Sequence, residues 1–247
     1  MLFVCAASPD RVTTIQSWAP IVTRQDCPGD HMIKAIAILA SVALLTSVSQ
    51  PSAEVLVVTY TGTISRGFDR SGLFGVPRRD MEGDSYVARY TFDTSLGRTF
   101  SSPERNFAVG GSTLGIASPA LSSTVTINGI THPVLSGNYY GQILGHNNGA
   151  NSEQSHRAGF QKSAGNVHTS NDNLNYIRNY DGSLPASITA PFSHDVTPND
   201  ETYGYFRFST YDYDTGKRIE STFGYVDLSN LTVELASAVP EPSALRR

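Results

Sequence analysis

Apolar and polar residues alternate with a period of two along much of the chain from residue 55 onward. The segment 85–93 shows the pattern clearly, because its even-numbered residues are all apolar or aromatic: Tyr86, Ala88, Tyr90 and Phe92. Successive side chains of a β-strand point to opposite faces, so this segment is predicted to be a half-buried strand. Residues 55–64 are rich in Val, Thr and Tyr and are predicted to form the first strand.

Two short alternating runs flank Asn128-Gly129 and predict a β-hairpin. The runs are residues 124–127 and 130–134. Asn and Gly tolerate the positive backbone angle φ that a tight two-residue turn demands. Pro133, near the end of the second run, is the one residue that disagrees with the pattern.

The last long block of alternation predicts three more strands. Residues 202–213 alternate, Asp214-Thr215-Gly216 reverses the chain, residues 217–228 return, and a further strand is predicted at 231–235. No segment after residue 54 shows a strong helical stripe. The predicted fold is therefore all-β, an antiparallel, jelly-roll-like β-sandwich of about eight to ten strands with one long polar loop excursion.

That excursion is predicted at residues 145–182, where aliphatic residues are few and asparagines many. The asparagines are Asn147, Asn148, Asn151, Asn166, Asn171, Asn173, Asn175 and Asn179. We expect most of the segment to be exposed, because a structureless stretch of this length is usually functional or mobile. Four tyrosines add aromatic surface next to these amides and form a candidate ligand surface: Tyr139, Tyr140, Tyr176 and Tyr180.

Residues 32–53 have the parts of a secretory signal peptide. Lys34 supplies the positive start, residues 35–48 are apolar, and cleavage after either Ser49 or Ala53 leaves small residues at the cut. The apolar run is shorter than the roughly 20 residues that span a bilayer. A buried helix or a membrane anchor is the other interpretation of this run.

The signal peptide sets the predicted domain organisation. Because such a signal acts from the amino terminus, residues 1–31 are interpreted as a start codon assigned too early or as an unstructured leader. Residues 54–238 are predicted to be a single domain and residues 239–247 a tail. Both cysteines, Cys5 and Cys27, precede the signal. The mature chain is therefore expected to lack a thiol nucleophile and a disulfide.

Composition and charge exclude several classes of protein. With 39% hydrophobic and 16% charged residues in a chain of 247, the sequence can bury a core and is not a disordered tail. The 18 Lys and Arg residues against 22 Asp and Glu residues give a net charge of -4. Binding to a nucleic-acid backbone requires a basic surface and is not expected here.

Candidate catalytic and metal-binding residues are scattered along the chain. Asp214-Thr215-Gly216 matches the tripeptide of aspartic proteases, but it occurs once and suits a plain hairpin turn. Carboxylate pairs for glycoside hydrolysis could come from two sets, Asp195, Asp200 and Glu201, or Asp69, Asp80, Glu82 and Asp84. The five histidines after residue 54 lack the close pairing of a metal site: His132, His146, His156, His168 and His194. No catalytic residue, cofactor or metal ligand is assigned from the sequence.

The carboxyl-terminal residues carry the motif Val239-Pro240-Glu241-Pro242-Ser243, followed by Arg246 and Arg247. In a chain with a signal peptide, this motif resembles the PEP-CTERM sorting signal of Gram-negative bacteria. The resemblance implies export, recognition of Pro240, Glu241 and Pro242 by an exosortase, and an association with exopolysaccharide. In that family a membrane-spanning segment precedes the basic residues, whereas only two residues stand here, so no stable transmembrane span is expected. The tail is a degenerate or shortened signal, or an ordinary Pro-rich end.

A second block resembles the amino-terminal part of uncharacterised PEP-CTERM β-proteins. It consists of Gly62-Thr63-Ile64-Ser65, a glycine-rich turn at residues 69–75, Gly83-Asp84-Ser85-Tyr86 and Tyr90-Thr91-Phe92-Asp93. By itself this block predicts a strand, a flexible turn and a second amphipathic strand. The resemblance implies export and a sandwich fold, and it implies no activity.

Two functions remain open from the sequence. The first is a secreted, cell-surface or extracellular-matrix protein with a binding or structural role, whose tyrosines either stack on sugar rings of a polysaccharide or simply cover the sheet edge. The second is a secreted glycan hydrolase or lyase on the same scaffold. Two carboxyl groups about 5 to 10 Å apart in a cleft would favour hydrolysis. A flat or convex tyrosine patch without buried acids would favour binding.

Overall fold

The structure is a computed structural model that describes residues 55–135 and 139–236. Within these residues the chain forms thirteen β-strands and one 3-10 turn at Ser112–Leu114. The strands are β1 (Val55–Asp69), β2 (Arg79–Asp80), β3 (Ser85–Asp93), β4 (Arg98–Ser101), β5 (Arg105–Gly110), β6 (Ala120–Ile127), β7 (Ile130–Pro133), β8 (Tyr140–Asn147), β9 (Ser152–Ala164), β10 (Val167–Asn179), β11 (Phe192–Asp195), β12 (Asp200–Asp212) and β13 (Lys217–Leu235). The all-β prediction is confirmed, with more strands than expected. The predicted leader, the signal peptide and the sorting motif Val239-Pro240-Glu241-Pro242 lie outside the described residues.

The strands form one antiparallel sheet that curls around its own core. The order is β4-β5-β8-β9-β10-β12-β13-β1-β3-β6-β7, with β11 paired to β13 and β2 paired to β1. Three strands separate β3 from β10 in this order. Nevertheless, the hydroxyl of Tyr86 on β3 donates a hydrogen bond of 2.9 Å to Asn173 on β10. The curl thus brings two parts of one sheet face to face, as in a sandwich, and leaves the convex face toward solvent.

The concave face carries the apolar residues that the alternation predicts. All four even-numbered aromatic and apolar residues of β3 are buried: Tyr86, Ala88, Tyr90 and Phe92. Phe206 on β12 stacks on Tyr86 with ring centroids 5.7 Å apart. Burial of such large rings is the main stabilising contribution to a core of this kind.

The long polar excursion predicted at residues 145–182 is wrong. The segment contains the end of β8 and all of β9 and β10, which lie inside the sheet rather than outside it. Asn173, Asn175 and Asn179 of β10 are buried on the concave face. Asn175 Nδ2 donates a hydrogen bond of 2.6 Å to the hydroxyl of Tyr90. Because a buried polar group is tolerated once it is hydrogen-bonded, an asparagine-rich segment can form a central strand.

Both predicted turns are present. Asn128 and Gly129 join β6 to β7 with positive φ values of 48° and 84°. Gly216, with φ of 62°, closes the turn between β12 and β13, so the protease-like tripeptide is a hairpin tip. The two strands predicted at 217–228 and 231–235 are one continuous strand, β13, which pairs with β12 near its start and with β11 near its end.

Candidate functional site

Four neighbouring tyrosines occupy the convex face of β10, β12 and β13, and we call Tyr176, Tyr203, Tyr205 and Tyr225 the tyrosine platform. Tyr176 lies opposite Tyr203 in the strand register, and Tyr205 lies opposite Tyr225. The ring centroids are 5.6 Å apart in the first pair and 5.3 Å apart in the second. A third contact of 6.2 Å joins Tyr203 to Tyr225, which is 39% exposed. The platform is a continuous aromatic surface open to solvent.

Alternation within β12 orients the platform. Gly204 and Phe206 are buried on the concave face, so Tyr203 and Tyr205 must point outward. Gly204 has no room for a side chain, because a Cβ there would lie 2.7 Å from the Cβ of Val226. The platform lies on interior strands, so its tyrosines do not cover a sheet edge.

Two of the predicted tyrosines meet at one end of the platform. Tyr176 and Tyr180 donate hydrogen bonds of 3.2 Å and 2.7 Å to the carboxylate of Glu201. Arg178 forms ion pairs of 3.3 Å with Glu201 and 2.9 Å with Glu153. Hydrogen bonds from Tyr180 and Tyr176, together with Arg178, hold the pKa of Glu201 below its usual value. This end of the platform is therefore a fixed array of hydroxyl and charged groups.

The other two predicted tyrosines line a separate depression on the same face. Tyr139 donates a hydrogen bond to Gln161, and Tyr140 lies beneath Arg157, whose guanidinium carbon is 5.3 Å from the ring centroid. The depression has a volume of about 230 Å³. It is smaller than the roughly 300 Å³ at which pockets for drug-sized ligands begin. The structure therefore divides the predicted surface into two groups, with Tyr139 and Tyr140 apart from Tyr176 and Tyr180.

Three charged residues from neighbouring strands also line the depression. Arg157 on β9 donates two hydrogen bonds, of 3.1 Å and 2.7 Å, to the two carboxylate oxygens of Asp172 on β10. Arg207 on β12 lies opposite Asp172 in the register. Its Nε is buried and lacks a hydrogen-bond partner among the residues that the structure describes. Both oxygens of Asp172 are therefore bound by Arg157, although Asp172 also lies opposite Arg207.

No family model, curated protein or solved structure matches the chain. Residues 55–135 and 139–236 contain no helix long and apolar enough to cross a membrane. Nor do they contain a group of three or more His, Cys, Asp or Glu residues arranged to hold a metal ion.

Three of the predicted carboxylates, Asp69, Asp200 and Glu201, have structural partners. Burial alone would raise the pKa of Asp69, but hydrogen bonds from Thr222 and from three backbone N–H groups outweigh it and lower that pKa. The same balance lowers the pKa of Asp200, which accepts hydrogen bonds from Thr197, Asn179 and His194. The general acid of a glycosidase needs a raised pKa. None of Asp69, Asp200 and Glu201 has such a raised pKa.

Histidine 156 belongs to the core rather than to a surface site. Its Nδ1 lies 2.7 Å from the hydroxyl of Tyr60, and its ring contacts Tyr90 and Phe92. Burial lowers the pKa of His156 to about 3, so the ring is neutral. Burial also raises the pKa values of Tyr60 and Tyr90, which therefore remain protonated.

Sequence patterns did not single out five residues of these two surfaces: Tyr203, Tyr205, Tyr225, Arg157 and Arg207. The signal for Tyr205 and Arg207 was present, since both alternate with the apolar residues of the predicted strand 202–213. The strand that pairs with β12 was not recognised, because β10 was predicted to be part of a loop. The sequence therefore gave no reason to expect Tyr176 beside Tyr203 or Asp172 beside Arg207.

Proposed function

We propose that this chain is an exported cell-surface or extracellular-matrix protein that binds polysaccharide. The observation that carries the proposal is the tyrosine platform, an exposed aromatic surface with hydrogen-bonding groups at its edge. Aromatic rings pack against the apolar faces of sugar rings, while groups such as Arg178 and Glu201 suit sugar hydroxyls. Support for export comes from the signal-like residues 32–53 and the Pro240-Glu241-Pro242 motif. The same motif makes an exosortase and extracellular polysaccharide the proposed partners.

The hydrolase or lyase alternative has weaker support. The platform lies on a convex face, whereas hydrolysis of a glycan requires an acid and a base on either side of the scissile bond. The pKa values of Asp69, Asp200 and Glu201 are all lowered, which favours the ionised form of each. Binding is therefore the function that the geometry supports best.

Tyr203→Ala is expected to weaken polysaccharide binding by about 1 to 1.5 kcal/mol, roughly fivefold to tenfold, because it removes the ring at the centre of the platform. A glycan array identifies a ligand for the full chain, and calorimetric titration then measures the affinity. Tyr213→Ala is the matched control, since Tyr213 is 61% exposed and lies at the β12–β13 turn outside the platform. Equal affinities for Tyr203→Ala and the unmodified protein would contradict the proposal. Release of reducing sugar ends from the bound glycan would instead support the hydrolase or lyase.

Export has its own test. When the full chain is expressed in a Gram-negative host, the protein recovered outside the cytoplasm is expected to begin at Gln50 or Glu54, because signal peptidase cuts after small residues. Amino-terminal sequencing of that protein identifies the cut. Recovery of an uncleaved chain from the cytoplasm would contradict the export part of the proposal.

A further inference from the structure

Gly159 forms part of the depression and has no structural need to be glycine. Its φ lies outside the left-handed region, and a Cβ built there would meet its nearest atom, the backbone oxygen of Asn171, at 3.6 Å, an ordinary contact. Every other glycine in residues 55–135 and 139–236 either has a positive φ or would place a Cβ within 3.0 Å of another atom. Glycine inside a strand weakens the strand and often marks a close approach of a ligand. The absence of a side chain at Gly159 therefore requires a reason other than folding.

The groups around Gly159 indicate the charge of such a ligand. Tyr140 and Asp172 lie directly opposite Gly159 on the two neighbouring strands, and Arg207 follows on the next strand. The depression contains two guanidinium groups and one carboxylate, and both oxygens of that carboxylate bind Arg157. Two arginines and one aspartate leave the depression with one net positive charge, and the structure shows no ion pair between Arg207 and a described carboxylate. Arg207 lines the depression, so its guanidinium is available to an anionic ligand there.

We infer that the depression receives a carboxylate-bearing sugar residue of an acidic polysaccharide. This inference rests on the proposed function. Arg207 binds the carboxylate, because the planar guanidinium fork matches two carboxylate oxygens. The absence of a side chain at Gly159 leaves room for a single sugar ring beside Tyr140. The polysaccharide then continues over the neighbouring tyrosine platform, where its sugar rings stack on Tyr205 and Tyr203.

The test compares three uronic-acid polymers, polygalacturonate, alginate and hyaluronate, each with its own carboxyl-reduced form. Calorimetric titration of the full chain is expected to show at least one acidic polymer bound about tenfold more tightly than its reduced form. Arg207→Gln should abolish that preference. Arg89→Gln is the matched control, because it removes the same charge from an exposed position on β3, opposite Thr59 and outside both surfaces, and should keep the preference.

Gly159→Val supplies a readout that a purely structural role would not give. Valine suits a strand and fits the backbone here, so the melting temperature should stay the same or rise. Binding of the acidic polymer should nevertheless fall about tenfold, because the valine side chain fills the depression. A Gly159→Val variant that is folded and binds normally would overturn the inference.

The outcomes separate this inference from the proposed function. If the unmodified protein binds acidic and carboxyl-reduced polymers equally, and Tyr203→Ala still weakens both, the acidic-sugar inference fails alone. Equal weakening by Arg207→Gln and Arg89→Gln would indicate unspecific attraction of a polyanion and would also overturn the acidic-sugar inference. If the protein binds no polysaccharide on the array or in titration, the proposed function fails and the inference fails with it.

Discussion

Replacing Asp69 with alanine is expected to lower the free energy of unfolding by about 3 to 5 kcal/mol, a large part of the roughly 5 to 15 kcal/mol that stabilises a domain. Asp69 is fully buried at the end of β1. Its carboxylate accepts hydrogen bonds from the backbone N–H groups of Gly72, Leu73 and Phe74 at 2.9, 3.0 and 2.7 Å. It also accepts a bond of 2.6 Å from the hydroxyl of Thr222 on β13. Alanine would leave all four donors without this acceptor.

Urea denaturation followed by tyrosine fluorescence measures this change. Asp80→Ala is the matched control, because Asp80 belongs to the same acidic segment but is exposed, and its carboxylate accepts a hydrogen bond from the backbone N–H of Glu82. The control should lose less than about 1 kcal/mol. Comparable losses for Asp69→Ala and Asp80→Ala would show that the turn after β1 does not depend on the buried carboxylate.

Acidification is expected to destabilise the protein well before its carboxylates become protonated. Burial lowers the pKa of His156 from the ordinary 6.5 to about 3. Between these values the unfolded chain binds a proton that the folded chain excludes, so stability falls as the pH falls. The expected slope approaches about 1.4 kcal/mol per pH unit below pH 5.5. The stabilising contributions of Asp69 and Asp200 are lost only at lower pH, because the folded state lowers their pKa values from 3.8.

Denaturation curves from about pH 7 to about pH 4.5 test this linkage. His156→Asn keeps a hydrogen-bonding group for Tyr60 but cannot titrate, so its stability at neutral pH should fall while the slope largely disappears. His168→Asn, which changes a histidine near the β9–β10 turn, should keep the slope. An unchanged slope in His156→Asn would assign the pH dependence to other groups.

The polar core also positions the functional surface. Tyr86 and Tyr90 on β3 bind Asn175 across the core with hydrogen bonds of 3.1 and 2.6 Å. Because side chains alternate along a strand, holding Asn175 inward holds Tyr176 outward. A slip of one residue in β10 would bury Tyr176 and expose Asn175. The register of β10 therefore determines both the buried hydrogen bonds of Asn175 and the outward position of Tyr176 in the tyrosine platform.

Patterns within a few residues were sufficient for much of the fold. The alternation in residues 85–93 predicted β3 and its buried face, and Asn128-Gly129 predicted the β6–β7 turn. The tripeptide at Asp214 was correctly interpreted as a turn. Such features depend on the intrinsic preferences of neighbouring residues, which are visible in the order of the amino acids.

The asparagine-rich segment shows where local patterns fail. Amide side chains are typical of loops, yet Asn173 and Asn175 are buried in a central strand because tyrosines from β3 satisfy them. The position of Tyr176 beside Tyr203, and of Asp172 beside Arg207, likewise depends on pairing between strands that are distant in the chain. Residue order alone was therefore enough for the strands with clear alternation, such as β1, β3 and β12, and for the two turns. The export signals stay predictions. Tertiary structure alone decided which polar residues are buried, which tyrosines contact one another, and that the Nε of Arg207 has no hydrogen-bond acceptor among the described residues. The reason is that hydrogen bonds and contacts across a curled sheet join residues that no local pattern connects.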